Sequence, residues 1–190
     1  MRRNLLHVAA AITMMAAATA TAGAQNLVQN GGFETGDFTG WTLSGNPGYV
    51  SVASGASYVN SGSYAGSFGA VGSDTYLSQA FSTNAGDQLR FSFFLQNDAG
   101  PTNDFFASFN GTPLVSLTNA SAFNYTQYSY NVTATGSDNI TFGFRQDPSY
   151  FQLDDVSVVA STTTTPEPSS MALLGTGLVG LVPMIRRRRK

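Results

Sequence analysis

No cysteine occurs in the 190 residues, and histidine occurs once, at His7. Without cysteine there is no disulfide framework, no thiolate nucleophile and no thiolate metal ligand. His7 sits in a stretch read below as a cleaved leader, which leaves the rest of the chain without an imidazole. That excludes Ser-His-Asp and Cys-His triads and histidine-ligated zinc. Basic residues are scarce as well. Of nine Lys and Arg, only Arg90 and Arg145 lie between residues 25 and 160. In the same stretch stand ten carboxylates, Glu34 and nine aspartates, for a net of about −8 that the overall −2 conceals. A stretch so acidic, and without lysine, is a poor partner for nucleic acid. It is suited to holding a cation.

The two ends of the chain have a different character. Arg2 and Arg3 precede an Ala-rich apolar run from Leu5 to Ala20, and Ala22-Gly23-Ala24 is a small-x-small site. This is the pattern of a signal peptide, a helix removed by signal peptidase between Ala24 and Gln25. At the other end, Pro166-Glu167-Pro168 is followed by an uncharged apolar run, Met171 to Ile185, and then by Arg186, Arg187, Arg188, Arg189 and Lys190. The run is about 15 residues, short against the roughly 20 that span a bilayer. Ser169, Ser170 and snorkelling of the basic side chains narrow the gap, which gives a short transmembrane helix with its cations on the cytoplasmic side. An ordinary C-terminal anchor has this form too. The order of the three parts, however, resembles the PEP-CTERM sorting signal. That resemblance implies a Gram-negative host that makes exopolysaccharide, a transient inner-membrane anchor and cleavage near the Pro-Glu-Pro by an exosortase. Release or transfer to the cell surface would follow.

The chain therefore divides into a leader (1–24), a folded domain (25–160), a Ser/Thr linker (161–165) and a sorting and anchor segment (166–190). The middle is long enough for one domain that buries roughly two-thirds of its unfolded surface. No convincing helical periodicity occurs in it, which excludes crossover helices and favours antiparallel pairing. Short alternating runs separated by Gly, Asn, Asp and Pro predict about ten strands. The first begins at Leu27-Val28. The longest, Gln88 to Gln96, places Leu89, Phe91, Phe93 and Leu95 on one face and Arg90, Ser92, Phe94 and Gln96 on the other. Asp104 to Phe109 and Leu114 to Leu117 form a hairpin about Asn110-Gly111. The expected fold is all-β, an antiparallel two-sheet jelly-roll sandwich.

Two stretches bracket this domain. Leu27-Val28-Gln29-Asn30-Gly31-Gly32-Phe33-Glu34, with Phe38-Thr39-Gly40-Trp41, opens it, and Phe151 to Val158 closes it. In the closing strand the apolar alternation changes parity at Asp154-Asp155, which predicts a bulge there. Carboxylates at such a place need partners. If the first and last strands lie side by side, Glu34 meets Asp154 or Asp155, and oxygen ligands of this kind suit Ca²⁺. Gly62 or its neighbours would add carbonyl ligands. The plainer alternative is that Glu34 caps a turn and the Asp pair is solvated or bonded to backbone amides. The opening, Ser61-Gly62-Ser63-Tyr64-Ala65 and the closing strand together resemble galactose-binding-like jelly rolls, in particular carbohydrate-binding modules of the CBM4/9 type. The resemblance implies a structural calcium at this place and a carbohydrate ligand.

No catalytic constellation stands out. Glu34 with one of the Asp pair is the one carboxylate pair to nominate for glycoside hydrolysis, and metal binding explains it better; the expectation is no enzyme. For sugar binding, Arg90, Phe94, Gln127 and Arg145 would line one groove, provided that their strands share a sheet. Against this, Phe94 packs equally well against a loop, and the arginines can pair with Asp. Trp41 reads as core. The expected function is an exported surface or matrix protein whose non-catalytic sandwich binds exopolysaccharide. The alternative is a structural surface or biofilm protein without a small ligand.

Overall fold

The computed structural model describes residues 25–161. The expected signal helix, the membrane helix and nearly all of the linker lie outside these residues. No helix of the described residues is long and apolar enough to cross a membrane. Ten strands are present: β1 Thr42–Gly45, β2 Val50–Ser54, β3 Tyr64–Phe68, β4 Thr75–Ser82, β5 Gln88–Asn97, β6 Asn103–Phe109, β7 Thr112–Thr118, β8 Phe123–Thr133, β9 Ser137–Gln146 and β10 Phe151–Ala160. They form two five-stranded sheets, β1-β4-β9-β6-β7 and β2-β3-β10-β5-β8, and every paired neighbour is antiparallel. Only β2-β3 and β6-β7 are joined within one sheet; at every other connection the chain crosses to the other sheet, as in a jelly roll.

The alternation in the sequence decides which faces meet. Leu89, Phe91, Phe93 and Leu95 of β5 are buried against Phe105 of β6 and Ile140, Phe142 and Phe144 of β9. Aromatic rings dominate this core. Phe68 stacks on Phe144 at 4.0 Å, and Phe142 meets Phe93 edge-on at 5.1 Å. Rings packed in this way add about 0.5–1.5 kcal/mol per pair beyond area burial.

The opening segment departs from expectation. Leu27 donates one backbone bond to Val158 (2.8 Å) but starts no strand. The physical reason is Asn26. Its side chain donates to the Val156 carbonyl (3.2 Å) and accepts from the Val158 amide (2.9 Å), taking ladder positions that a strand would have used.

The sandwich has two distinct ends. At one, β10 exits at Ala160, close to the turns at 83–87 and 134–136; the Ser161 amide bonds the Gln88 carbonyl at 2.8 Å, and Ala134 bonds Asp87. At the other end, the tip, lie the loops 46–49, 69–74, 98–102 and 147–150. They are tied together by backbone bonds from Gly69 to Tyr49, Asn46 to Asp74, Gln146 to Ala70 and Asp98 to Tyr150.

Candidate functional site

The bracket of the sequence closes in space. Residues 30–41 fold around Asn30, whose side-chain amide donates to Thr35 Oγ1 (2.7 Å) and to the carbonyls of Asp37 and Thr39. Its own carbonyl accepts from the Trp41 indole at 3.0 Å. This loop drives Phe33 fully into the core, where it stacks with Trp41 at 5.8 Å. Trp41 is a core residue, as its apolar setting predicts. Phe33 takes a φ of 58°, an uncommon conformation for a bulky residue, and the same kink turns Glu34 outward. There Glu34 accepts from the amides of Ser63 (3.0 Å) and Tyr64 (3.3 Å).

The ladder between β10 and β5 is interrupted between Asp154 and Ser157, with Asp155 at a φ of 50°. This is the bulge that the parity change predicts. Asp154 is fully buried. Its carboxylate accepts from the amides of Asn60 (2.9 Å), Ser61 (3.1 Å) and Asp155 (2.7 Å). Burial pushes its pKa up to about 6; the Ser61 amide works against that shift, and the neighbouring Asp155 charge works with it. Asp155 accepts from the Asn60 side chain and the Ser61 hydroxyl, both at 2.7 Å. Glu34, Asp154 and Asp155 thus share the 60–64 segment. All three also lie close to Gly32, at which a Cβ would sit 3.6 Å from Glu34 Cγ, 3.7 Å from Asp154 Oδ1 and 3.8 Å from Asp155 Oδ1. Gly62 faces Glu34 so closely that a Cβ there would lie 2.1 Å from its Oε1. Neither salt bridge of the described residues involves these acids. Their donor set, oxygen only and uncompensated, has the chemistry of a hard-cation site. Protein donors already engage all three carboxylates, however, backbone amides at Glu34 and Asp154 and the Asn60 and Ser61 side chains at Asp155, and among the described residues no three acids form a ready-made metal cluster.

Three of the four expected groove residues share the outer face of the β2-β3-β10-β5-β8 sheet. Phe94 stands opposite Gln127, and Arg90 opposite Asn131. Arg90 and Gln127 are exposed and Phe94 is half-buried. Arg145 does not join them. Its strand, β9, belongs to the other sheet, and its guanidinium pairs with Asp104 at 3.1 Å and lies 3.8 Å from Asp147. The condition that all these strands share one sheet is not met, so the four-residue groove does not form.

The sequence reading missed the role of residues 55–63. They fold back over the outer face, where Gln96 donates to the Ser57 carbonyl (3.4 Å) and the Tyr125 hydroxyl to the Tyr58 carbonyl (2.7 Å). Beneath them Gln152 is buried and donates to Asp98 at 3.1 Å. Burial, reinforced by the charges of Asp154, Asp98 and Asp155, pushes the Tyr125 phenol well above its usual range. A buried Gln in the closing strand was the available signal that something covers this face. The exposed tyrosines of the tip were missed as well, because tyrosine in a turn carries no distinctive spacing.

Residues 164–190 match the family of the PEP-CTERM protein-sorting motif. No curated protein matches the chain. Among solved structures the domain is similar to a carbohydrate-binding module, TmCBM61, in complex with beta-1,4-galactotriose: 25% identity, TM-score 0.61, 72% of this chain and 99% of that one. It is similar to the K3 cleaved adhesin domain of Lys-gingipain from Porphyromonas gingivalis at 14% identity and TM-score 0.55, over 73% of this chain and 100% of that one. A third similar structure is the CBM22-1 xylan-binding domain from Paenibacillus barcinonensis, at 15% identity and TM-score 0.50, over 76% of this chain and 100% of that one. The chain thus carries a PEP-CTERM sorting motif over residues 164–190, behind a β-sandwich whose structural neighbours include carbohydrate-binding modules.

Proposed function

We propose that the protein is an exported, exosortase-processed surface protein whose non-catalytic sandwich binds polysaccharide. The observation that carries the binding part is the likeness to a galactotriose-binding module over nearly all of that module's length. The acidic surface and the absence of any nucleophile–base pair in the sequence support a binding role without catalysis. The sorting motif supports the route: signal peptidase at Ala24-Gln25, a transient inner-membrane anchor ending in Arg186 to Lys190, exosortase cleavage near Pro166-Glu167-Pro168, and then the surface of a Gram-negative cell.

A calcium ion beside Gly32 belongs to this reading. Glu34, Asp154 and Asp155 would supply carboxylate oxygens, and carbonyls about Gly62 would complete the shell. The ion would offset three clustered negative charges and fix the 60–64 segment to β10.

The test is co-purification of the protein with exopolysaccharide, from cells that make the polymer and from cells that do not. The reading expects the protein to travel with the polymer in the first and to be released in the second. An identical distribution in both would favour the structural alternative, a matrix protein without a glycan ligand.

A further inference from the structure

The exposed large apolar side chains of the described residues are few and unevenly placed. They are Tyr49 (69% exposed), Val71 (49%), Tyr58 (46%) and Tyr150 (36%). Tyr49, Val71 and Tyr150 line one cleft of about 250 Å³ at the tip, together with Gly69, Pro148 and Ser149. β10 runs from Phe151 to Ala160, so this cleft lies at the end of the sandwich opposite the exit toward the sorting motif.

The cleft is held rigidly. Tyr49 has a φ of 60°, and its carbonyl accepts from the Gly69 amide at 2.9 Å. The Asn46 side chain accepts from the Gly48 amide and donates to the Val71 carbonyl at 2.9 Å. The Tyr150 carbonyl accepts from the Asp98 amide at 3.0 Å. The Tyr150 ring lies on bare backbone: a Cβ at position 69 would come within 2.6 Å of it, so only glycine there permits the ring its place. A cleft whose backbone is tied down in this way loses little freedom on binding.

We infer that this tip cleft is a contact site for one pyranose ring of a neutral polysaccharide. The inference rests on the carbohydrate-binding reading and adds to it the place and the charge class. A pyranose presents an apolar face and a hydroxyl edge, and tyrosine presents an apolar face and a polar tip. The volume is below the roughly 300–1,000 Å³ of pockets that enclose drug-sized ligands, which limits the cleft to about one ring. Charge selects against acidic sugars. Among the described residues, Asp74 and Asp98 stand in the tip loops without a salt bridge, and the nearest cation, Arg145, is already shared between Asp104 (3.1 Å) and the tip residue Asp147 (3.8 Å). A uronate would meet uncompensated carboxylates.

The experiment is affinity electrophoresis of the full chain in mild detergent, through gels that contain β-1,4-galactan, xylan, the host exopolysaccharide or polygalacturonate. The wild type should be retarded by at least one of the first three and not by polygalacturonate. Tyr49→Ala and Tyr150→Ala should each weaken the retardation about tenfold. Tyr49→Phe and Tyr150→Phe should keep most of it, and melting curves of all four variants identify any that fail to fold. If both alanine variants fold and are retarded as the wild type is, the tip site is overturned while the carbohydrate reading stands; loss in Phe94→Ala instead would place the ligand on the sheet face. Retardation by polygalacturonate alone overturns the neutral-sugar assignment. No retardation in any gel overturns both.

Discussion

Gly62 and Glu34 are matched across 28 positions of sequence: a Cβ at 62 would lie 2.1 Å from Glu34 Oε1, and the carboxylate instead accepts the amides of Ser63 and Tyr64. Gly62 also has a φ of +69°. Gly62→Ala should therefore destabilise twice over, by about 1–2 kcal/mol for the left-handed backbone and by displacing Glu34. Urea unfolding should show the loss, and Glu34→Gln, which keeps an acceptor, should lose less.

The acid cluster makes a second prediction. Millimolar calcium should raise the melting temperature of the wild type at neutral pH by a few degrees, in line with the weak affinity of extracellular sites. Glu34→Ala should abolish the rise. Equal melting temperatures in calcium and in chelator would remove the ion from the account.

Asp138 predicts an acid limit. It is buried and accepts from Asn110 (2.6 Å), the Thr135 amide (3.0 Å), the Thr135 hydroxyl (2.8 Å) and the Thr83 hydroxyl. Burial pushes its pKa up, but these hydrogen bonds outweigh it, and the net shift is downward. A carboxylate lowered by folding contributes stability above its unfolded pKa of about 4 and loses it as pH falls through the lower folded value. Asp138→Asn should be less stable at pH 7 by about 2 kcal/mol, and its stability should fall less steeply than that of the wild type below pH 4.

Arg145 should separate stability from binding. It pairs with Asp104 at 3.1 Å and does not line the tip cleft. Arg145→Ala should cost up to about 1 kcal/mol and leave polysaccharide retardation within twofold of the wild type. A large loss of retardation with an unchanged melting curve would contradict this.

Much of the fold was legible in the sequence because period-two alternation is a local signal. The inward set of β5, the Asn110-Gly111 hairpin and the bulge at Asp154-Asp155 all follow from it. That Glu34 and Asp154 both bond the 60–64 segment was legible only through the bracket of two end motifs. What stayed hidden was long-range. Whether β9 shares a sheet with β5 is decided by the crossovers of the chain, and no local pattern reveals them; hence Arg145 was grouped wrongly. Asn26 replaces strand pairing with its own side chain, which hydropathy does not register. The tip cleft depends on Gly69 passing under Tyr150, a contact across 81 positions.

The central claim is that the sandwich binds polysaccharide, and isothermal titration of the full chain in mild detergent tests it most directly. The titrants are soluble β-1,4-galactan, xylan and the host exopolysaccharide. The account predicts saturable heat with at least one of them, reduced in Tyr49→Ala. Heats of dilution alone with all three would contradict it and leave a surface protein without a glycan ligand.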